Sequence, residues 1–281
     1  MPTSPAEPDT SMLLIRIAEA LERIAPKPLP ATDWRTCPAY VWTGESARGV
    51  EHLQAPELGL LRGIDSQKER VVTNVARLAQ GHAAHDMLLW GSRGMGKSAL
   101  VRAAVRAAQS PDPASLALVQ VAQDALSGVS ALFAELGRHE RRYLVFIDDL
   151  GFEEADLSGP RLLRSWLEGG VEARPANVRL AVTSNRRAIV ARSLGEQDDP
   201  INPRDAVDDR LALADRFGLS IGFHNCTQDD FLAIIAGYAE EIGLAWEPAD
   251  ALEWAQRRGA RSGRVAWQYI AELAGRAGKA I

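Results

Sequence analysis

A chain of 281 residues with 46% hydrophobic and 25% charged side chains can bury a substantial core, as one domain of α/β size or two smaller ones. Its 37 acids against 32 lysines and arginines leave a formal net charge of −5, which excludes an overall positive field for gathering nucleic acid or anionic lipid. The two cysteines, Cys37 and Cys226, lie in no disulfide-framework or zinc-ligand spacing, a usage that fits a reducing cytoplasm.

The first ten residues are rich in Pro, Ser and Thr and are expected to lack regular structure. Asp9, Thr10 and Ser11 then offer cap oxygens to a helix from Met12 to Ile24, whose stripe of Leu14, Ile17, Leu21 and Ile24 needs a cover from its own domain or from another subunit. That apolar stretch is short and interrupted by Arg16, so it reads neither as a signal peptide nor as a membrane span, and a cytoplasmic protein with no membrane partner is expected. Pro26, Pro28, Pro30 and Pro38 make residues 25–40 an extended connector, closing a first segment of residues 1–40. Residues 41–62 carry Trp42, Leu53, Leu60 and Leu61 without clear periodicity and are expected as an extension packed on the neighbouring α/β core.

From Gly63 the pattern alternates strand and helix. Strands are expected at Met87–Trp90, Leu116–Val121, Tyr143–Ile147, Val178–Thr183 and Leu219–Phe223, with helices between the first four, which is the signature of a parallel sheet with crossover helices. After Asn225 only helical periodicity remains, near 228–241, 248–258 and 263–277. Residues 63–224 are thus expected to form an α/β domain and residues 225–281 a small helical one.

Two constellations carry chemistry. Gly91-Ser92-Arg93-Gly94-Met95-Gly96-Lys97-Ser98 fits the glycine-rich phosphate loop, and it comes after the apolar run 87–90 and before the helix-like run from Ala99. Glycines let main-chain N–H groups turn inward around phosphate oxygens, the next helix adds the positive end of its dipole, Lys97 matches β/γ-phosphate charge, and Ser98 offers a hydroxyl to Mg²⁺. About fifty residues on, the strand 143–147 ends in Asp148 and Asp149. At the carboxyl end of a parallel strand beside the loop strand, Asp148 suits the metal and Asp149 suits the polarising of an attacking water. His82 and His85 have a metal-like spacing but no third ligand in view and read as surface residues.

Four further segments resemble the AAA+ superfamily of P-loop ATPases. The resemblance implies a parallel five-stranded sheet sandwiched by helices, a small all-helical lid, and ATP with Mg²⁺ as cofactors. Val182-Thr183-Ser184-Asn185 is similar to the sensor 1 strand end, implying that Asn185 orients the lytic water or touches the γ-phosphate. Asp215-Arg216-Phe217-Gly218 is similar to the arginine-finger segment, implying a homo-oligomer in which Arg216 reaches a neighbour's γ-phosphate. Ser262-Gly263-Arg264 is similar to sensor 2, with Arg264 acting from the lid, and Gly63-Ile64-Asp65 is similar to the segment that closes over adenine, placing Ile64 there. With Gly91 through Ala99 around the phosphates, these make up the expected site.

The strings 147–154, 167–175 and 214–219 further resemble a bacterial ATPase family known as domain of unknown function 815, from about residue 40 onward. One departure matters: the residue after the metal aspartate is usually Glu in the superfamily, and here the shorter Asp149 leaves Glu153 or Glu154 as alternative bases. The expected function is an ATPase that remodels or regulates a macromolecular partner, with an ATP-dependent assembly switch and a nucleic-acid-associated ATPase as alternatives. Residues 121–128 lack the aromatic residue of protein-threading members, and the basic run 257–264 lacks interleaved aromatics, so unfolding and nucleic-acid binding are both disfavoured.

Overall fold

The computed structural model describes residues 10–24, 32–152, 159–168, 174–185 and 213–281. Contacts divide the chain into two compact units, residues 1–32 and 33–281. The described part of the first is one helix, α1 (Thr10–Ile24), whose Met12, Leu14, Ile15, Ile17 and Leu21 are exposed.

The second unit is built on a seven-stranded sheet. Strands β3 (Met87–Gly91), β4 (Leu116–Val121), β5 (Arg142–Ile147), β6 (Val178–Ser184) and β7 (Leu219–Phe223) are the five expected from the sequence, all parallel in the order β4-β5-β6-β3-β7. They read as nearly unbroken apolar runs because both faces are covered: along β5, Leu144 and Phe146 enter one core while Tyr143, Val145 and Ile147 enter the other. The first core lies under α2 (Asp65–Ala79) and α3 (Lys97–Gln109), the second under α4 (Val129–Leu136) and α5 (Gly159–Glu168).

Two strands depart from the sequence expectation. β1 (Ala39–Trp42) and β2 (Ala47–Val50) form a hairpin that adds β1 parallel to β4, so part of the expected connector and extension belongs to the sheet. Four-residue strands of mixed exposure carry too little alternation to show a period. Long-range bonds place the hairpin instead: β1 pairs with β4, and in the segment leading into β1 the carbonyls of Trp34 (3.2 Å) and Cys37 (2.8 Å) accept from the Arg141 guanidinium and Trp34 O accepts from the Tyr143 hydroxyl at 3.2 Å.

After β7 come α6 (Gln228–Ile242), α7 (Pro248–Arg258) and α8 (Gly263–Arg276), each with a recognisable start and stop. Thr227 and Asp230 form a reciprocal capping box on α6, Pro248 opens α7, and Ser262 Oγ accepts the Val265 N–H at the start of α8. Left-handed glycines, Gly243 and Gly259, end α6 and α7. Their apolar faces join the α2–α3 core through Phe231, Ile235, Ala266 and Ile270. No helix among the described residues is long and apolar enough to cross a membrane.

Candidate functional site

The loop from Gly91 to Gly96 turns through three left-handed glycines, Gly91 (φ 121°), Gly94 (φ 74°) and Gly96 (φ 86°). At Gly91 nothing else fits, since a Cβ would lie 2.1 Å from the Phe223 carbonyl oxygen. The first turn of α3 begins at Lys97 with no side-chain cap and no acidic residue, which leaves its amides and dipole facing the cleft. That is the arrangement an anion needs.

Lys97 is 7% exposed, and its ammonium donates to Gly91 O (2.8 Å), Ser92 O (2.9 Å) and Asn185 Oδ1 (3.5 Å). Burial pushes this ammonium below its ordinary pKa; Asp149 and Asp148 pull it back up, while Arg264 and Arg93 push it further down. The site thus keeps a partly desolvated cation with two further guanidinium groups nearby, a field suited to an anion of high charge.

The acidic strand tip faces the loop. Ser98 Oγ donates to Asp148 Oδ1 at 2.5 Å, and Thr183 Oγ1 donates to the same oxygen at 2.6 Å. Asp149 is in the left-handed region (φ 53°), the one non-glycine there among the described residues, and is tied by its N–H to Thr183 Oγ1 (2.8 Å) and by Oδ1 to the Asn185 amide. One positional expectation is corrected: β5 does not lie beside the loop strand, because β6 runs between β5 and β3. Asp148 still meets Ser98, reaching past the end of β6.

These residues line a cleft of about 1340 Å³. Arg93, Gly94, Met95, Gly96, Lys97, Ser98 and Ala99 form its phosphate-loop wall, with Asp148, Asp149, Asn185 and Arg264 beside them in the lining. Gly91 and Ser92 are set behind that wall, where Ser92 N–H bonds Phe223 O (2.9 Å) and Ser92 Oγ donates to Asn225 Oδ1 (2.6 Å). Arg264 enters on α8, whose main-chain N–H at Arg264 donates to Gly94 O at 3.1 Å, so the loop is fastened directly to the helical unit. Apolar residues line the cleft too: Leu61 and Ile64, each 3.8 Å from where a Cβ on Gly96 would lie, Ile234, and Tyr238 and Trp267, whose rings meet at 5.0 Å and 62°.

Arg216 does not line the cleft; its Nε donates to Glu168 Oε1 at the end of α5. Glu153 and Glu154, the alternative bases, lie outside the described residues. His82 and His85 are exposed, and no group of three or more His, Cys, Asp or Glu side chains arranged to hold a metal occurs among the described residues. A cation at Asp148 and Ser98 therefore needs oxygens from a ligand or water to complete its shell. Sequence reasoning gives no role to Thr183, Tyr238 or Trp267: a β-branched residue in a strand and aromatics on helices are ordinary core signals, and only the folded register brings them to the cleft.

A parallel sheet with a glycine-rich turn and an acidic strand tip at one end, followed by a helical unit, defines the AAA+ class of P-loop ATPase folds. Solved structures agree. The Holliday junction branch migration motor RuvB of Thermotoga maritima matches with a TM-score of 0.53 at 20% identity, over 81% of this chain and 68% of that one. The ORC1 protein of Aeropyrum pernix, solved in complex with DNA, matches with a TM-score of 0.53 at 18% identity, over 78% and 64% respectively. At this identity the likeness is one of fold. Residues 35–277 match the family model described as protein of unknown function (DUF815), and the chain belongs to that family. No curated protein matches the chain at a significant level.

Proposed function

We propose that the cleft binds Mg·ATP and that the protein hydrolyses it between subunits to remodel or regulate a macromolecular partner, with residues 63–224 as nucleotide domain and 225–281 as lid. The observation that carries this reading is the meeting of Ser98 with Asp148 at 2.5 Å, beside an uncapped helix start and the buried Lys97. The donor set fits the ligand: loop amides and three cations for a triphosphate, a hydroxyl and a carboxylate for Mg²⁺, and an apolar pocket for a base. When bound, Mg²⁺ neutralises charge on the phosphates and orients them.

The chain's own groups supply the rest. Lys97 exchanges its bonds to the Gly91 and Ser92 carbonyls for phosphate oxygens, so the loop opens toward its ligand without a new cation being buried. Asp149 accepts a proton from water or orients it, and Asn185 aims that water. Arg264 acts within the subunit from α8. Arg216, which does not line its own cleft, is offered to a neighbour's γ-phosphate, a contribution of ~10³ or more in rate for fingers of this kind. Tyr238 and Trp267 present ring faces and edges to the base.

A second reading has its own observation. Asp149 is one methylene shorter than the usual Glu, is held at φ 53°, and is engaged by Asn185, an arrangement that suits slow turnover in a switch that assembles with ATP. ATPase assays over a range of protein concentration separate the two. Brisk turnover that collapses in Arg216→Ala with binding intact supports the hydrolase; assembly on a slowly hydrolysed ATP analogue with little turnover supports the switch. A wild type that stays monomeric yet turns over fully removes Arg216 from the site.

A further inference from the structure

We infer that Thr183 is the positioning residue of the metal carboxylate: one hydroxyl at the end of β6 sets Asp148 and the main chain of Asp149 together. The inference deepens the Mg·ATP reading and rests on it.

A threonine hydroxyl has one proton to give and lone pairs to receive. The Thr183 proton goes to Asp148 Oδ1 at 2.6 Å, and a lone pair takes the Asp149 N–H at 2.8 Å. The Thr183 carbonyl takes the next amide, Leu150 N–H, at 2.8 Å. Three successive residues of the acidic tip are thus held by one residue, which is 1% exposed and so shielded from solvent that could substitute for it.

Register explains why this residue has the job. Ile147 pairs with Val182 and Leu89 pairs with Thr183, so one step beyond the last β5 pair the β6 chain lies alongside Asp148 while still joined to the loop strand. β6 intervenes between the phosphate strand and the acid strand. Apart from the direct bond between Ser98 and Asp148, the sheet connects loop and carboxylate through β6.

The cation is affected in two ways. Asp148 Oδ1 receives both Ser98 and Thr183 hydroxyls, which fixes the rotation of the carboxylate and so the direction in which its remaining lone pairs point. Asp149 is kept in a left-handed conformation that a non-glycine residue disfavours, by an N–H bond that would otherwise be lost to burial. Removing the hydroxyl takes one bond from the carboxylate, leaving that of Ser98, and one from the turn, leaving that of Leu150 N–H, without touching the phosphate loop.

The test titrates a fluorescent ATP analogue, first with a chelator and then with rising Mg²⁺, in wild type, Thr183→Val, Thr183→Ser and Lys97→Ala. Thr183→Val is expected to bind the analogue as wild type does without metal, and to need about 10–100-fold more Mg²⁺ to reach half of the metal-dependent gain. Thr183→Ser, which keeps the hydroxyl, is expected to restore the midpoint. A wild-type Mg²⁺ midpoint in Thr183→Val overturns the inference. Should Thr183→Val fail to fold, Thr183→Ala takes its place against Thr183→Ser, and equal midpoints in that pair overturn it. Lys97→Ala keeps the two failures apart: if it binds like wild type the Mg·ATP reading falls, whereas lost binding there with an unmoved midpoint in Thr183→Val removes only the role of Thr183.

Discussion

In the Mg·ATP reading the cleft has a phosphate end and a base end, built in opposite ways. The phosphate end is made of residues close in sequence, 91–98, plus the tips of β5 and β6, and its polar groups are already bonded to one another: Lys97 to the loop carbonyls and Asn185, Ser98 and Thr183 to Asp148. The base end draws on Leu61, Ile64, Ile234, Tyr238 and Trp267, from segments up to about two hundred residues apart, and relies on apolar surface rather than directed bonds. A preorganised polar site gives geometry and discrimination, while an apolar wall gives affinity that tolerates change. If that division is right, damage at the two ends will differ in kind.

The largest expected effect lies outside both ends. Arg216→Ala is expected to lower turnover about 10³-fold in steady-state assays at assembling concentrations, leaving nucleotide affinity unchanged. Next comes the phosphate end: Lys97→Ala should weaken ATP by about 10–100-fold and weaken inorganic tripolyphosphate as much, because a charge-assisted bond of ~1.5–3 kcal/mol is lost from both. Trp267→Ala sharpens the contrast. Loss of one stacking ring should cost ATP about tenfold by fluorescence titration and leave tripolyphosphate untouched, since only the base meets that wall.

The joint between the ends can also be broken. A Cβ on Gly94 would lie 2.8 Å from Ser262 Oγ at a φ of 74°, so Gly94→Ala is expected to destabilise by ~1–2 kcal/mol, seen as a fall in melting temperature of about 2–6 °C. The smallest effect concerns Lys97 itself. Its folded pKa lies below the unfolded value of 10.5, so between the two the unfolded chain binds the extra proton and stability rises with pH; at neutral pH the buried charge weighs against folding. Lys97→Met without nucleotide should therefore melt at or slightly above wild type near pH 7, by no more than ~4 °C, and the gain should shrink in alkaline buffer.

The same division decides how much the sequence reveals. The phosphate end is legible because its chemistry demands certain residues at fixed spacing: glycines where φ is positive, Lys97 and Ser98 directly after them, an acid at a strand's carboxyl end. The five parallel strands and the capped helices after Asn225 are legible for a related reason, since burial on both faces and capping each leave a local pattern. The hairpin of β1 and β2 is not, being two four-residue strands held by pairing with β4, with the segment before them bonded by Arg141 and Tyr143 from about a hundred residues away. Nor is strand order: that β6 separates β5 from β3 is a long-range fact, and it is what brings Thr183 to the acidic tip. Tyr238 and Trp267 share a face only after α6 and α8 pack.

In the Mg·ATP reading, main-chain amides after Gly91 and the acid tip of β5 close on the phosphates together. Amide hydrogen exchange on the wild-type protein, with and without a slowly hydrolysed ATP analogue and Mg²⁺, reads those amides directly. The expected result is slowed exchange across residues 92–99 and 149–150, with a smaller change at the start of α8. Unchanged exchange in residues 92–99, with protection confined to other segments, would contradict the account.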